Sequence, residues 1–138
     1  MSHPTPSLLI VEDSAEDLEL ALRALEDRHL GRDLLVARDG AQAAAMLASA
    51  SPLPRAILLD LKMPRVGGFE LLRSLKGDPR LRSIPVVIFT SSREPSDIAE
   101  AYRLGANSYV VKPLDPDAFA ALVAAIGGYW LSTNQALT

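Results

Sequence analysis

Short, mainly aliphatic runs recur along the chain, each five or six residues long and separated by longer stretches of mixed polarity. They lie near residues 8–12, 33–37, 56–60, 85–90 and 107–111. Because most are almost continuously apolar, they predict strands that are buried on both faces, as in a parallel sheet. The intervening stretches are long enough for helices that cross over from one strand to the next. We therefore predict an α/β fold of five βα units, with helices on both faces of a parallel sheet.

Turn residues agree with this division. Gly67-Gly68 precedes the third predicted helix, Asp78-Pro79 follows it, and Gly105-Ala106-Asn107 ends the fourth. Asp39 is expected to cap the second helix. With 138 residues, we predict a single domain over 1–138 with a core at about 7–131, frayed ends, and no room for an output domain.

Composition narrows the function classes. The 49% of apolar residues can form a core without metals or disulfides, and the absence of cysteine excludes thiol catalysis. Two histidines, expected on the surface as His3 and His29, argue against a zinc site. A net charge of −3 without a basic tract argues against nucleic acid or anionic membrane as partner. No signal peptide or membrane span is recognisable, so we expect a cytoplasmic protein that binds other proteins.

Polar side chains stand where the predicted strands end. Glu12 and Asp13 follow the first strand, Asp60 the third, Thr90 the fourth and Lys112 the fifth. In an open sheet of order 2-1-3-4-5, the chain reverses direction between the first and third strands, and ligands bind outside the carboxyl ends there. We therefore expect the five side chains to meet in one crevice.

Their chemistry suits phosphoryl transfer. Clustered carboxylates repel one another unless a cation is present, and an all-oxygen ligand set favours Mg²⁺. Asp13 and Asp60 would hold this metal, with Glu12 binding directly or through water. Asp60 could then accept phosphate as an acyl phosphate, while Lys112 binds the phosphoryl oxygens and Thr90 donates a hydrogen bond.

Over about residues 7–131 the chain resembles a response-regulator receiver domain of two-component signalling, which has a flavodoxin-like (βα)5 fold. The matching motifs are Val11-Glu12-Asp13, Leu58-Leu59-Asp60-Leu61-Lys62-Met63-Pro64 with Gly68, Thr90-Ser91, and Tyr109-Val110-Val111-Lys112-Pro113. The resemblance implies that a partner histidine kinase phosphorylates Asp60 and that the chain catalyses only transfer onto, and hydrolysis from, this residue. It also implies that the backbone carbonyl of Lys62 is a metal ligand and that the Lys112–Pro113 bond is cis.

The same resemblance implies a switch. Phosphorylation is expected to draw Thr90 toward the phosphate and turn Tyr109 inward, which changes the surface of the fourth helix, fifth strand and fifth helix. The fifth helix is apolar around most of its circumference, so we predict a homodimer through this surface. Tyr102, Phe119 and Trp130 are the candidate interface residues.

Among stand-alone receivers, the chain is most similar to those paired with bacterial phytochrome kinases. The similarity lies in Val11-Glu12-Asp13-Ser14 with Asp17, Ile84-Pro85-Val86-Val87, Gly105-Ala106-Asn107-Ser108-Tyr109 and Tyr129-Trp130-Leu131. It implies a phytochrome-like kinase and an unidentified downstream protein as partners. Lys62 places a long cation beside the acceptor, and the small Ser92 leaves access for hydrolytic water.

Simpler explanations stay open for single residues. Ser14 with Asp17 resembles a capping box, so the neighbouring acids could serve only the start of the first helix. Asp97 with Glu100 is expected to be a solvated helix face. Tyr129 and Trp130 could seal the base of the domain or anchor a partner.

Two other functions are also weighed. One is an aspartyl phosphatase, which would need a second acid where Lys62 stands. The other is an interaction module that works without phosphorylation.

Overall fold

The computed structural model describes residues 8–63 and 65–135. Five strands alternate with five helices along the chain. They are β1 Leu8–Val11, α1 Ala15–Asp27, β2 Leu35–Ala37, α2 Gly40–Ser49, β3 Ala56–Leu59, α3 Gly68–Gly77, β4 Val86–Thr90, α4 Pro95–Arg103, β5 Ser108–Val111 and α5 Pro116–Gly128. A π-helical turn, Tyr129–Thr133, continues α5. Pro64, His3 and the N-terminal segment expected to fray lie outside the described residues.

The strands form one parallel sheet of order β2-β1-β3-β4-β5, so the predicted α/β fold is confirmed. Val11 at the end of β1 pairs with Ala37 on one side and Leu59 on the other. Thr90 pairs with Val111 at the far side of the sheet. Each strand therefore ends at the same edge, and the polar residues that follow are brought close together.

Helices cover both faces of the sheet, as the continuous apolar runs predicted. On one face, α2, α3 and α4 pack over side chains such as Leu9 and Ile57. On the other, α1 and α5 pack over Leu8 and Leu58. Every residue of β1, β3 and β4 is buried. No helix in the described part of the chain has both the length and the apolar character needed to cross a membrane.

Side-chain caps fix where helices begin. The Ser14 hydroxyl accepts a hydrogen bond from the Asp17 N–H at 3.3 Å at the start of α1. Asp39 caps α2 by accepting from the Gln42 N–H at 2.8 Å, which confirms its predicted role. Both caps lie just after the carboxyl edge of the sheet, so they set the direction in which α1 and α2 leave that edge.

Helix α5 is more deeply covered than the sequence suggested. Phe119 is only 3% exposed and packs against Phe89 with the two rings tilted and their centroids 5.1 Å apart, so its assignment to an interface is wrong. The reason is that α5 packs on the sheet and on α1 together, and Gly127 lets it approach Leu25 of α1 closely. Helix α5 therefore needs apolar residues around most of its circumference in order to pack within a single molecule. Trp130 is half-buried against this core and meets Tyr129 edge to face.

Candidate functional site

Three carboxylates meet at the carboxyl ends of β1 and β3. Oxygens of Glu12, Asp13 and Asp60 lie within 4.8 Å of one another. Glu12 and Asp60 are buried, and Asp13 is half-buried. The backbone N–H of Asp60 donates to the Val11 carbonyl at 3.1 Å, which holds the end of β3 against β1. The structure thus brings together the acids that the sequence assigned to one crevice.

Lys112 extends from the end of β5 into this cluster. Its Nζ donates to Glu12 Oε1 at 2.6 Å, Asp17 Oδ2 at 2.8 Å and Asp60 Oδ2 at 3.1 Å. The side chain is 8% exposed. Burial alone would lower the pKa of the ammonium, but the hydrogen bonds to Asp17 and Glu12 outweigh it and raise the pKa. Lys112 therefore stays charged and offsets part of the negative charge of the cluster.

Glu12 is the most perturbed carboxyl group of the cluster. Burial raises the pKa of Glu12 from 4.5 to about 7, since the hydrogen bond from Lys112 opposes the effect only in part and the charge of Asp60 adds to it. One ammonium cannot compensate several carboxylates held this closely. Repulsion among the carboxylates is therefore relieved either by a proton on Glu12 or by binding of a cation.

The predicted cis bond between Lys112 and Pro113 is wrong. Within residues 8–63 and 65–135, the single cis peptide bond joins Ser51 to Pro52. The trans isomer is favoured for most X–Pro bonds. The Lys112 N–H extends the strand pairing by donating to the Thr90 carbonyl at 2.8 Å. This pairing already directs the side chain into the cluster.

Asp17 and Arg38 are contacts of the site that the sequence did not reveal. Asp17 was interpreted as the second half of a capping box, but the Ser14 N–H is bound by Glu12 Oε2 at 3.1 Å instead. The Asp17 carboxylate instead accepts a hydrogen bond from Lys112. Arg38 donates to the carbonyl oxygens of Glu12 and Asp13, at 3.1 and 2.7 Å. The spacing of Ser14 and Asp17 placed Asp17 at the start of α1 but did not indicate its contact with Lys112. No sequence pattern indicated the contacts of Arg38.

Thr90 and Tyr109 meet at Ser92. Thr90 is fully buried at the end of β4, and its Oγ1 accepts from the Ser92 N–H at 3.5 Å. The Tyr109 hydroxyl donates to the Ser92 carbonyl at 2.9 Å, and burial raises the pKa of this phenol. The Ser92 hydroxyl donates to Asp97, which is half-buried, so this residue of the predicted solvated face also has a partner inside the domain. Ser92 is 7% exposed, and the access that its small size leaves for hydrolytic water at Asp60 stays a prediction.

Other predicted residues lie farther out. Lys62 is exposed three residues after β3, and its carbonyl as a metal ligand stays a prediction. Tyr102 on α4 is 50% exposed. Glu100 pairs with Arg103 on the surface of α4, and His29 is exposed as expected.

Comparisons with known proteins agree with this geometry. The family model described as response regulator receiver domain matches residues 8–124. Response regulator Rcp1 of Synechocystis sp. is 36% identical over 137 residues, which is 96% of this chain and 93% of Rcp1. A crystal structure of the Mn²⁺-bound form of Rcp1 matches with a TM-score of 0.90, covering 98% of this chain and 100% of that one, at 34% identity.

Two further proteins are similar over nearly the whole chain. The phosphorylated cyanobacterial phytochrome response regulator RcpA matches with a TM-score of 0.91 at 32% identity, covering 98% of this chain and 100% of RcpA. The probable methanogenesis regulatory protein FilR2 of Methanothrix harundinacea is 38% identical over 132 residues, 93% of this chain and 85% of FilR2.

Proposed function

This chain belongs to the response-regulator receiver domain family, and from that premise we propose that it carries a phosphoryl group on Asp60, received from a partner histidine kinase. The observation that carries the proposal is the position of Asp60, buried between the acid pair Glu12-Asp13 and the ammonium of Lys112. An acceptor oxygen, a carboxylate cluster suited to hold a cation and an ammonium suited to bind phosphate thus lie side by side. The chain then acts as a signalling phosphoacceptor rather than as an enzyme that turns over a small substrate.

The acceptor carboxylate is oriented before any donor binds. Asp60 Oδ1 accepts from the Leu61 N–H at 2.7 Å, and Oδ2 accepts from Lys112. In the transfer, the bond from phosphorus to the histidine nitrogen breaks and one Asp60 oxygen forms the new bond. Lys112 can then bind a phosphoryl oxygen in place of Asp60 Oδ2, because a lysine ammonium suits a phosphate as a compact point charge.

The residues present fit a divalent metal. Three carboxylates within 4.8 Å offer the hard oxygen ligands that Mg²⁺ prefers, and the relative Rcp1 has been crystallised with Mn²⁺. Asp13 and Asp60 would hold the ion, with Glu12 binding directly or through water and the Lys62 carbonyl completing the set. A bound ion supplies positive charge for the developing phosphoryl oxygens.

The contacts of Ser92 support a route from Asp60 to the surface. Thr90 binds Ser92 through its hydroxyl, Tyr109 binds the same residue from β5, and Ser92 in turn binds Asp97 on α4. We expect the phosphoryl group to attract the Thr90 hydroxyl, which would release these contacts and free Tyr109 to turn inward. The signal would then appear on the surface formed by α4, β5 and α5.

A homodimer through the α4-β5-α5 surface is part of the same proposal. Tyr102 is 50% exposed on α4, which gives this surface an aromatic contact, whereas Phe119 has been excluded. Light scattering at high protein concentration, with and without beryllofluoride as a phosphoryl analogue, tests it against a Tyr102→Ser variant. Monomeric mass under both conditions would contradict the dimer.

We propose that the kinase partner is phytochrome-like and that this chain acts in the cytoplasm. The similarity to RcpA supports this pairing, because RcpA is a cyanobacterial phytochrome response regulator. FilR2, which matches about as well, is named for methanogenesis, so receivers of other pathways are the alternative. Phosphotransfer from a purified phytochrome kinase, compared with an unrelated histidine kinase, distinguishes the two. Equal transfer from both would contradict the pairing.

Asp60→Asn tests the central proposal. The wild type is incubated with acetyl phosphate and Mg²⁺, with and without EDTA, and intact masses are compared. We expect a metal-dependent gain of one phosphoryl group in the wild type and none in the variant. Binding of beryllofluoride, measured in parallel, detects a competent site even if the phosphoryl group is lost quickly. Failure of both assays would refute phosphorylation and favour an interaction module.

A further inference from the structure

All three protons of the Lys112 ammonium are engaged, and one partner is a residue that the proposed reaction does not use. Asp17 Oδ2 lies 2.8 Å from Nζ, closer than Asp60 Oδ2 at 3.1 Å. Glu12, at 2.6 Å, is the third partner. Asp17 is on α1 and Glu12 follows β1, so the ammonium is held from two different elements.

Asp17 is itself fixed in place. Its backbone N–H donates to the Ser14 hydroxyl in the first turn of α1, where a negative charge is favourable. The next residue, Leu18, is buried in the core shared by α1 and α5. The Asp17 side chain is 32% exposed, so its carboxylate lies at the rim of the crevice with Lys112 below it.

The other two partners of Lys112 have a second task. Glu12 and Asp60 both belong to the three-carboxylate cluster, whereas Asp17 does not. Oxygens of Glu12 and Asp60 are therefore shared between Lys112 and any cation that the cluster holds. Asp60 also changes its charge and shape when it accepts a phosphoryl group. Neither metal binding nor phosphorylation of Asp60 requires the bond between Asp17 and Lys112 to break.

We propose that Asp17 is a positioning residue that holds the Lys112 ammonium beside Asp60 before the phosphoryl group arrives. A lysine side chain has many rotamers, and fixing it in advance reduces the ordering needed in the transition state. This inference rests on the proposed phosphorylation of Asp60. Asp17 does not touch the acceptor and acts only through Lys112.

A double-mutant cycle tests the kinetic part. Asp17→Asn keeps the size of the side chain and removes its charge, and the rate constant for phosphorylation by acetyl phosphate is measured with saturating Mg²⁺. We expect a fall of about three- to tenfold, because an ammonium that is not held in advance must be ordered on the way to the transition state. Asp17→Glu should restore most of the rate. In a Lys112→Met background, Asp17→Asn should change nothing further.

Glu16→Gln is the matched control. Glu16 is the adjacent acid in the first turn of α1 and is exposed. Glu16→Gln therefore changes the net charge and the charge at the helix N-terminus as much as Asp17→Asn does, without removing a partner of Lys112. Its rate constant should equal that of the wild type. An equal loss in Glu16→Gln, or an equal effect of Asp17→Asn with and without Lys112, would overturn the proposal, since either reveals a general charge or helix effect.

A second readout does not require phosphorylation. The chain has three lysines, Lys62, Lys76 and Lys112, so nuclear magnetic resonance relaxation can follow each ammonium separately. With saturating Mg²⁺ and no phosphate donor, when Glu12 and Asp60 are shared with the metal, we expect Lys112 to be ordered in the wild type and to become more mobile, toward exposed Lys62, in Asp17→Asn. An unchanged order parameter would overturn the anchoring. If the wild type accepts no phosphoryl group, the proposed function fails, and this measurement still decides whether Asp17 anchors Lys112.

Discussion

Replacing Asp13 by Asn should stabilise the metal-free protein. Asp13 lies within 4.8 Å of two other carboxylates, Glu12 and Asp60. The hydrogen bonds of the Lys112 ammonium go to Glu12, Asp17 and Asp60, so Asp13 adds negative charge without sharing this cation. Removing its charge relieves repulsion in the folded state, while the unfolded chain, in which the acids are far apart, is little affected.

The expected gain follows from the separation. Two unit charges 4.8 Å apart repel by about 1 kcal/mol in water and by about 3.5 kcal/mol at an effective dielectric constant of about 20. Asp13 is half-buried and salt screens its exposed side, so we expect the lower part of this range. A net stabilisation of about 1 to 2 kcal/mol corresponds to a rise in Tm of about 3 to 8 °C for a domain of this size.

Urea unfolding in EDTA and in excess Mg²⁺ measures both sides of this balance. In EDTA the variant should have the higher free energy of unfolding. In Mg²⁺ the wild type should gain more, because Asp13 is a proposed ligand and bound metal stabilises only the folded state. The difference should therefore shrink or reverse. Glu16→Gln, which removes an exposed acid outside the cluster, should gain nothing in EDTA.

Two results would refute this reasoning. If Asp13→Asn were no more stable than the wild type in EDTA, the cluster would not be electrostatically strained. If both proteins gained equally from Mg²⁺, Asp13 would not be a ligand.

Three further changes test other parts of the structure. Because the pKa of Glu12 is raised to about 7, protons compete with the metal, so Mg²⁺ affinity should rise with pH up to about 7 and level off above it. Calorimetric titration should show this slope in the wild type, and its persistence in Glu12→Gln would contradict the assignment. Gly68→Ala places a methyl group against the carbonyl oxygen of Asp60 and should cost about 2 kcal/mol of unfolding free energy or more, whereas Gly77→Ala, which meets open space, should not destabilise. Phe119→Ala should cost about 3 to 5 kcal/mol as a core cavity, measured by urea unfolding, and a change under 1 kcal/mol would restore its role at an interface.

The sequence was sufficient for the sheet and for its chemical edge. Continuous apolar runs imply parallel strands, parallel strands end at one edge, and the residues that follow them meet there. This argument alone grouped Glu12, Asp13, Asp60, Thr90 and Lys112. The structure brings the three acids within 4.8 Å of one another and Lys112 into hydrogen bonds with Glu12 and Asp60, whereas the Thr90 hydroxyl contacts Ser92. Such topological inference needs no knowledge of side-chain conformations.

What the sequence left out depends on how helices sit on the sheet. The sequence around Asp17 is the same whether its carboxylate binds the Ser14 N–H or Lys112. Because Glu12 already accepts from the Ser14 N–H, the Asp17 carboxylate binds Lys112. Phe119 looked available because one helix face usually suffices for packing, but α5 buries residues against both the sheet and α1. Local sequence patterns do not show how a helix packs on its neighbours or which side chains then meet.

The charge balance of the crevice connects its stability with its proposed task. Three carboxylates, those of Glu12, Asp17 and Asp60, contact one ammonium, and a fourth, Asp13, lies near Glu12 and Asp60. The folded metal-free protein therefore has an excess of negative charge where water is partly excluded. Such an arrangement repels a phosphate donor until cations reduce the charge. Lys112 alone cannot do this while its protons are shared among the acids. Metal binding should therefore precede phosphoryl transfer, and Asp17 matters because it keeps Lys112 in place as the other acids turn to the metal.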